Sequence, residues 1–245
     1  MTDLVPPPLA HLPPPDRAAL LLDMDGTLLD IAPRPDLVVV PPGLAEALSA
    51  LRLRLGDALA IITGRPVAQI DALLPGIPYA VAGEHGGALR PAPGAAPERP
   101  DLPRAPDTWR DAAAALAARV PGAMVEEKSR GFVMHYRACP DQGPALHAAL
   151  AAILADDPTF VIAAAHMAWE IRPLGADKGT AVRALLHRPP FRGRLPIFIG
   201  DDVTDEDGIA AAQALGGAGL RVPEVFGSAG GVRAWLMRAA ETGSW

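Results

Sequence analysis

Apolar residues in this chain come in short unbroken runs, separated by segments with helical spacing. The run Ala18–Leu22 reads as a short buried strand that stops at Asp23-Met24-Asp25. After a turn-rich segment at 32–35, Pro41-Pro42 opens a helix with Leu44, Ala47, Leu48, Leu51 and Leu55 on one face. A second buried strand, ALAIITGRP, ends at Thr63-Gly64, and Pro66 suits the first turn of a helix over 67–74. YAVAGEHGGALR is expected to be a third strand running into a Gly-rich turn. Strands and helices in alternation predict a parallel sheet wrapped in helices.

Residues 91–107, PAPGAAPERPDLPRAPD, change character and read as a linker. Beyond them the pattern gives a helix over 108–119, strands near 123–128 and 131–137, a helix over 141–155, and strands near 158–164 and 168–172. Two helix–strand–strand units in succession predict a small α+β insert with an open sheet. The α/β pattern then resumes, with a helix from about Asp177, the strand LPIFIG, a helix from Thr204, a strand at 219–222 and a last helix over 232–240. The expected layout is a loose Pro-rich arm over 1–15, a core made of 16–106 and 174–245, and an insert over 107–173.

Composition adjusts this picture in a few places. The chain has 245 residues and is 50% hydrophobic but only 4% aromatic, so Ala, Leu and Val must fill the core. A formal charge of −6 argues against a nucleic-acid partner. No apolar run reaches the roughly 18 residues of a membrane span, and the N-terminus lacks the order of a signal peptide. The single cysteine, Cys139, fits a reducing compartment, so a cytoplasmic location is expected; a monomer is expected as well, though not on the ground of the cysteine.

The chemistry gathers at strand ends. In open parallel sheets, ligands sit at the carboxyl ends of strands. Asp23 and Asp25 lie at one such end, Thr63 at another, and DDVTDED (Asp201, Asp202, Asp205, Glu206, Asp207) follows a third. Thr204 can cap a helix there, with Asp207 as its box partner, and acids in the first turn favour the dipole. That leaves Asp201 and Asp202, which a hard divalent cation such as Mg²⁺ explains. Lys178 falls near a helix start, where a cation is disfavoured unless an anion shares the place. Gly179 would let that anion approach, and the Thr63 hydroxyl can donate to it. These parts suit phosphoryl transfer: one Asp attacks and becomes an aspartyl-phosphate, the other moves protons, and Mg²⁺ with a lysine offsets the repulsion.

The motifs DMDGTL, TGR, DKG and GDDVTDED, in that order, resemble those of haloacid dehalogenase-type phosphatases. The resemblance implies a Rossmannoid α/β core with an inserted C2-type cap. It makes Asp23 the nucleophile and Asp25 the acid/base. It has the Asp23 carboxylate, the Asp25 carbonyl and Asp201 hold Mg²⁺, with Asp202 and Asp205 as ligands or as supports of them. Thr27, Gly64 and Arg65 fall on the substrate side; Arg65 either contacts phosphate or sugar, or pairs with an acid.

Strand alternation sorts the insert. Glu126, Lys128, His135, Glu170 and Arg172 can share one face, opposite Val125, Met134, Trp169 and Ile171. This is either a solvated sheet face or a lid for a hydroxyl-rich sugar. VEEKSRGFVMHYR, GEHGG and WEIRP are similar to segments of trehalose-6-phosphate phosphatases. That likeness implies hydrolysis of trehalose 6-phosphate to trehalose and phosphate, in trehalose biosynthesis. The insert over 107–173 is expected to close over the core by a hinge, since a lid excludes water. The same likeness puts Glu126, Lys128 and Glu170 on the sugar, and Glu84 and His85 beside the site, where both also suit a plain polar turn. One departure is Ile209, where an aromatic is expected. The rival readings are a phosphatase of sucrose, mannosylglycerate or hexose phosphate, a phosphomutase, and a non-catalytic binding module.

Overall fold

A strand with both faces covered needs apolar residues at every position, and all five residues of β1 (Ala18–Leu22) are buried. The structure, a computed structural model, describes residues 9, 11–32, 37–155, 157–165 and 167–245. Most of the expected N-terminal arm, and most of the turn-rich segment at 32–35, lie outside the described residues. The described residues divide into two compact units. One runs up to Arg99 and resumes with Asp177–Asp201 and Asp205–Trp245; the other is Pro100–Ala176 with Asp202–Thr204.

In the first unit β1 is followed by α1 (Leu44–Arg54), β2 (Leu59–Ile62), α2 (Val67–Leu73), β3 (Ala80–Gly83) and β4 (Ala88–Arg90). The second unit supplies α3 (Asp107–Arg119), β5 (Met124–Glu127), β6 (Phe132–His135), α4 (Gly143–Leu154), β7 (Phe160–Ala165) and β8 (Ala168–Pro173). The first then continues with α5 (Lys178–Leu186), β9 (Leu195–Gly200), α6 (Glu206–Ala214), β10 (Ala218–Arg221), α7 (Val222–Val225) and α8 (Ala229–Thr242).

The six-stranded sheet has the order β10-β9-β1-β2-β3-β4. Its pairs are parallel except β3 with β4. Because β9, β1 and β2 are adjacent and parallel, the residues that follow each of them emerge on one edge. That edge carries Asp201, Asp23 and Thr63. The backbone N–H of Asp23 still donates to Ile199 O at 2.9 Å, so the ladder holds it in register. Ile209, in place of an aromatic, is buried against Gly219 of β10, where even a Cβ would overlap it.

The second unit has an antiparallel sheet, β5-β6-β8-β7. Phe132, Met134 and Ile171 on one face pack with Ala113 of α3 and Leu146 and Leu150 of α4 in a hydrophobic cluster of their own. Trp109 meets Phe160 edge-on at 5.2 Å, and Trp169 Nε1 donates to Gly143 O at 2.8 Å.

One local expectation needs extending and two need correction. YAVAGEHGGALR runs from a strand into a turn as expected, but beyond it lies a further strand: Glu84, His85 and Gly86 take φ of 53°, 53° and 99°, and the chain reverses into β4. Thr204 does not cap α6; the cap position is Asp205, after a 3₁₀ turn over Val203–Asp205, and Glu206 pairs with Arg221. Residues 91–107 are not a bare linker. Leu89 and Glu98 exchange backbone hydrogen bonds at 2.8 and 2.7 Å, and Arg130 donates to the carbonyls of Pro100 and Leu102. No helix among the described residues is long and apolar enough to cross a membrane.

Leu21 is fully buried in β1, whereas Leu53 on α1 is 79% exposed. Leu21→Ala is expected to destabilise by about 3 kcal/mol and Leu53→Ala by less than about 0.5 kcal/mol in urea denaturation. Equal effects would contradict the core described here.

Candidate active site

The site is built around a buried lysine. Asp177 caps α5, accepting from the Thr180 N–H at 2.6 Å, which leaves Lys178 at the first helical position. Lys178 Nζ donates to Asp23 Oδ1 and to Asp205 Oδ1, each at 2.6 Å. All three side chains are buried. The anion expected at this helix start is therefore a pair of carboxylates. Gly179 serves close helix packing instead: a Cβ there would lie 2.5 Å from Asp207 O on α6.

Burial pushes the Asp23 carboxyl well above the usual carboxylate range; Asp205 adds to this and Lys178 opposes it. Burial alone would lower the Lys178 ammonium, but Asp23 and Asp205 outweigh it and raise it above the ordinary lysine value. Asp23, Asp201 and Asp205 each offer an oxygen within 4.8 Å of the others. Three carboxylates against one ammonium leave excess negative charge in a largely buried place, which a further cation would offset. An all-oxygen donor set suits a hard divalent ion, so these residues fit a metal. Asp202 is not in that group; its Oδ1 accepts from the Val203 N–H at 2.6 Å.

Neighbouring residues fix the group. Asp205 Oδ2 accepts the Asp201 N–H at 3.1 Å, and the buried Thr27 hydroxyl donates to Asp201 Oδ1 at 3.4 Å. Gly26 has φ 80°, and a Cβ on it would overlap the Asp201 carboxylate, so only glycine fits this turn. Asp25 is held by Arg65 through both oxygens, Nε to Oδ2 at 2.5 Å and Nη2 to Oδ1 at 2.6 Å. Of the alternatives for Arg65, pairing with an acid is the one present. The buried Thr63 Oγ1 accepts the Arg65 N–H at 3.2 Å, and the His85 ring lies over Gly64. Glu84 is bidentate to Arg99, with Nη1 to Oε2 at 2.9 Å and Nη2 to Oε1 at 2.7 Å.

In the second unit the register opposes Glu126 to Val133, Val133 to Glu170 and Glu170 to Ala163, so both glutamates stand in one cross-strand row. Lys128 Nζ donates to Glu126 Oε1 at 2.5 Å, and His135 Nε2 lies 2.8 Å from Glu126 Oε2. These two hydrogen bonds, His135 first, hold the Glu126 carboxyl down at about 2 against burial, which works the other way. Glu170 is buried, and the Arg172 guanidinium donates to Ala176 O.

A family model described as Trehalose-phosphatase matches residues 21–227. The chain belongs to the trehalose-phosphatase family. A "probable trehalose-phosphate phosphatase" of Sinorhizobium fredii is 41% identical over 211 residues, covering 84% of this chain and 78% of the relative. The trehalose-6-phosphate phosphatase of Escherichia coli is 36% identical over 210 residues, covering 84% and 77%. The C-terminal domain of Candida albicans trehalose-6-phosphate phosphatase superposes with a TM-score of 0.76 over 92% of this chain and 93% of that one; at 20% identity this speaks to the fold alone.

The stretch matched to the trehalose-phosphatase family takes in every candidate site residue named above. Two partners escaped sequence reasoning. Arg99 lies in the Pro-rich stretch, where nothing local marks it as the mate of Glu84. His135 could be placed on the polar face, but its bond to Glu126 could not be read from alternation.

Glu126 supplies a test. A carboxyl lowered from 4.5 to about 2 in the folded state adds stability that is full above the unfolded value and is lost as pH falls through about 2. NMR titration of the Glu126 side chain is expected to give a midpoint near 2, and His135→Ala is expected to move it upward. A midpoint at the ordinary 4.5 would contradict the pairing.

Proposed function

We propose that this chain hydrolyses trehalose 6-phosphate to trehalose and inorganic phosphate through an aspartyl-phosphate on Asp23. The observation that carries the reading is the buried Lys178 ammonium shared by Asp23 and Asp205, at the strand-end edge of a trehalose-phosphatase family chain. In the first step an Asp23 oxygen attacks phosphorus in line, and the bond from phosphorus to the sugar oxygen breaks. Asp25 protonates the departing oxygen, then takes a proton from the water that cleaves the acyl phosphate. Arg65 orients Asp25, and one carboxylate oxygen exchanges the guanidinium for the leaving group in the acid step.

Thr63 is suited to the phosphate. Its oxygen accepts from the Arg65 N–H, which leaves its own proton to donate to a phosphate oxygen. Asp23, Asp201 and the Asp25 carbonyl would hold Mg²⁺, with Asp202 and Asp205 as ligands or supports. When bound, the ion would offset the repulsion between the Asp23 carboxylate and the phosphate dianion. Thr27 would steady Asp201, and Gly64 and His85 would border the phosphate. Glu126, Lys128 and Glu170 of the second unit would receive the sugar hydroxyls, with Glu84 supporting through Arg99. The single cysteine, Cys139, is free, which supports a reducing location, the cytoplasm.

Phosphate release from a panel of esters tests the substrate. Trehalose 6-phosphate should exceed sucrose, mannosylglycerate and hexose phosphates by about tenfold or more in kcat/KM. Another ester in first place overturns the substrate, and a bisphosphate converted without phosphate release would indicate a mutase. Asp23→Asn is expected to lower kcat by about 10³-fold or more, since an amide is a poor nucleophile. EDTA should abolish turnover and added Mg²⁺ restore it; undiminished rates in chelator would remove the metal from the reading.

A further inference from the structure

His135 has no task in the reaction proposed above, yet it claims half of a carboxylate that does. Lys128 occupies Glu126 Oε1 and His135 occupies Glu126 Oε2. The lysine comes from the same strand end as Glu126. The histidine comes from the next strand, where its register partner is Met124, so it meets Glu126 as a diagonal neighbour on the same face. A carboxylate held at one oxygen turns easily about its last torsion, which is broad and roughly two-fold. Held at both oxygens from two strands, it keeps one plane.

We infer that His135 is a positioning residue for sugar recognition, fixing the carboxylate plane of Glu126 so that its remaining lone pairs meet a hydroxyl of the bound ester. The inference rests on the reading of Glu126 as a sugar contact. Each carboxylate oxygen has two acceptor sites, and one pairing at each leaves one on each oxygen for a sugar hydroxyl. The Glu126 and His135 side chains are 44% and 31% exposed, so both remain open to solvent. A rigid ring suits this work better than a second flexible ammonium: it lacks the lysine's long stem and can donate through Nε2–H without a full charge. The low Glu126 value agrees with two donors on one carboxylate.

The test compares wild type, His135→Ala and His135→Gln on sugar phosphates and on p-nitrophenyl phosphate, which has no hydroxyl to offer. Glutamine can return an N–H to the place of the imidazole Nε2–H. His135→Ala is expected to raise KM for trehalose 6-phosphate by about tenfold, with kcat changed less than about twofold. Kinetics on p-nitrophenyl phosphate should stay within about twofold of wild type, and glutamine should recover most of the loss on the sugar ester. An unchanged KM, an equal loss on both substrates, or glutamine no better than alanine would each overturn the inference. If wild type prefers a different sugar ester, the trehalose reading falls and His135 is judged on that ester by the same comparison. If wild type turns over only the aryl ester, both fall.

Discussion

A lysine at the first position of a helix meets the wrong end of the helix dipole, and Lys178 is buried there as well. Two carboxylates at 2.6 Å make the placement tenable. Those partners are 155 and 27 residues away in sequence, so one ammonium ties the end of β1, the turn before α6 and the start of α5. Removing one member of such a group leaves buried charge without a mate, a loss of about 3–5 kcal/mol. The same crowding bears on Asp23, whose charge burial and Asp205 disfavour and the Lys178 ammonium supports.

The sheet delivers these groups by its connectivity. β9, β1 and β2 run in parallel beside one another, so a short motif after each strand arrives at a common edge without long-range design of loops. Asp205 then does two things at once. One oxygen meets Lys178 and the other takes the Asp201 N–H, so the lysine and the acidic turn are set by a single carboxylate.

Much of this was readable in the sequence because it follows from periodicity. Unbroken apolar runs gave the buried strands, and period-two alternation placed Glu126, His135 and Glu170 on one face opposite Met134, Trp169 and Ile171. Less readable were features that depend on distant partners or on unfavourable backbone. The reversal at Glu84 and His85 uses left-handed geometry at non-glycine residues, which no propensity favours. Thr204 looked like a helix cap, but Asp205 stands at the cap position with its carboxylate already engaged by Lys178 and Asp201. Arg99 and Glu84 are fifteen positions apart and joined only by the fold.

The second unit owns its hydrophobic cluster, with Phe132, Met134, Leu146, Leu150 and Ile171 packed among themselves and none of them shared with the cluster under the large sheet. Its polar face can therefore drift under selection without disturbing the packing that holds Asp23, Lys178 and Asp205 together. Outward side chains such as Glu126, Lys128 and His135 are exchangeable at little cost to either cluster.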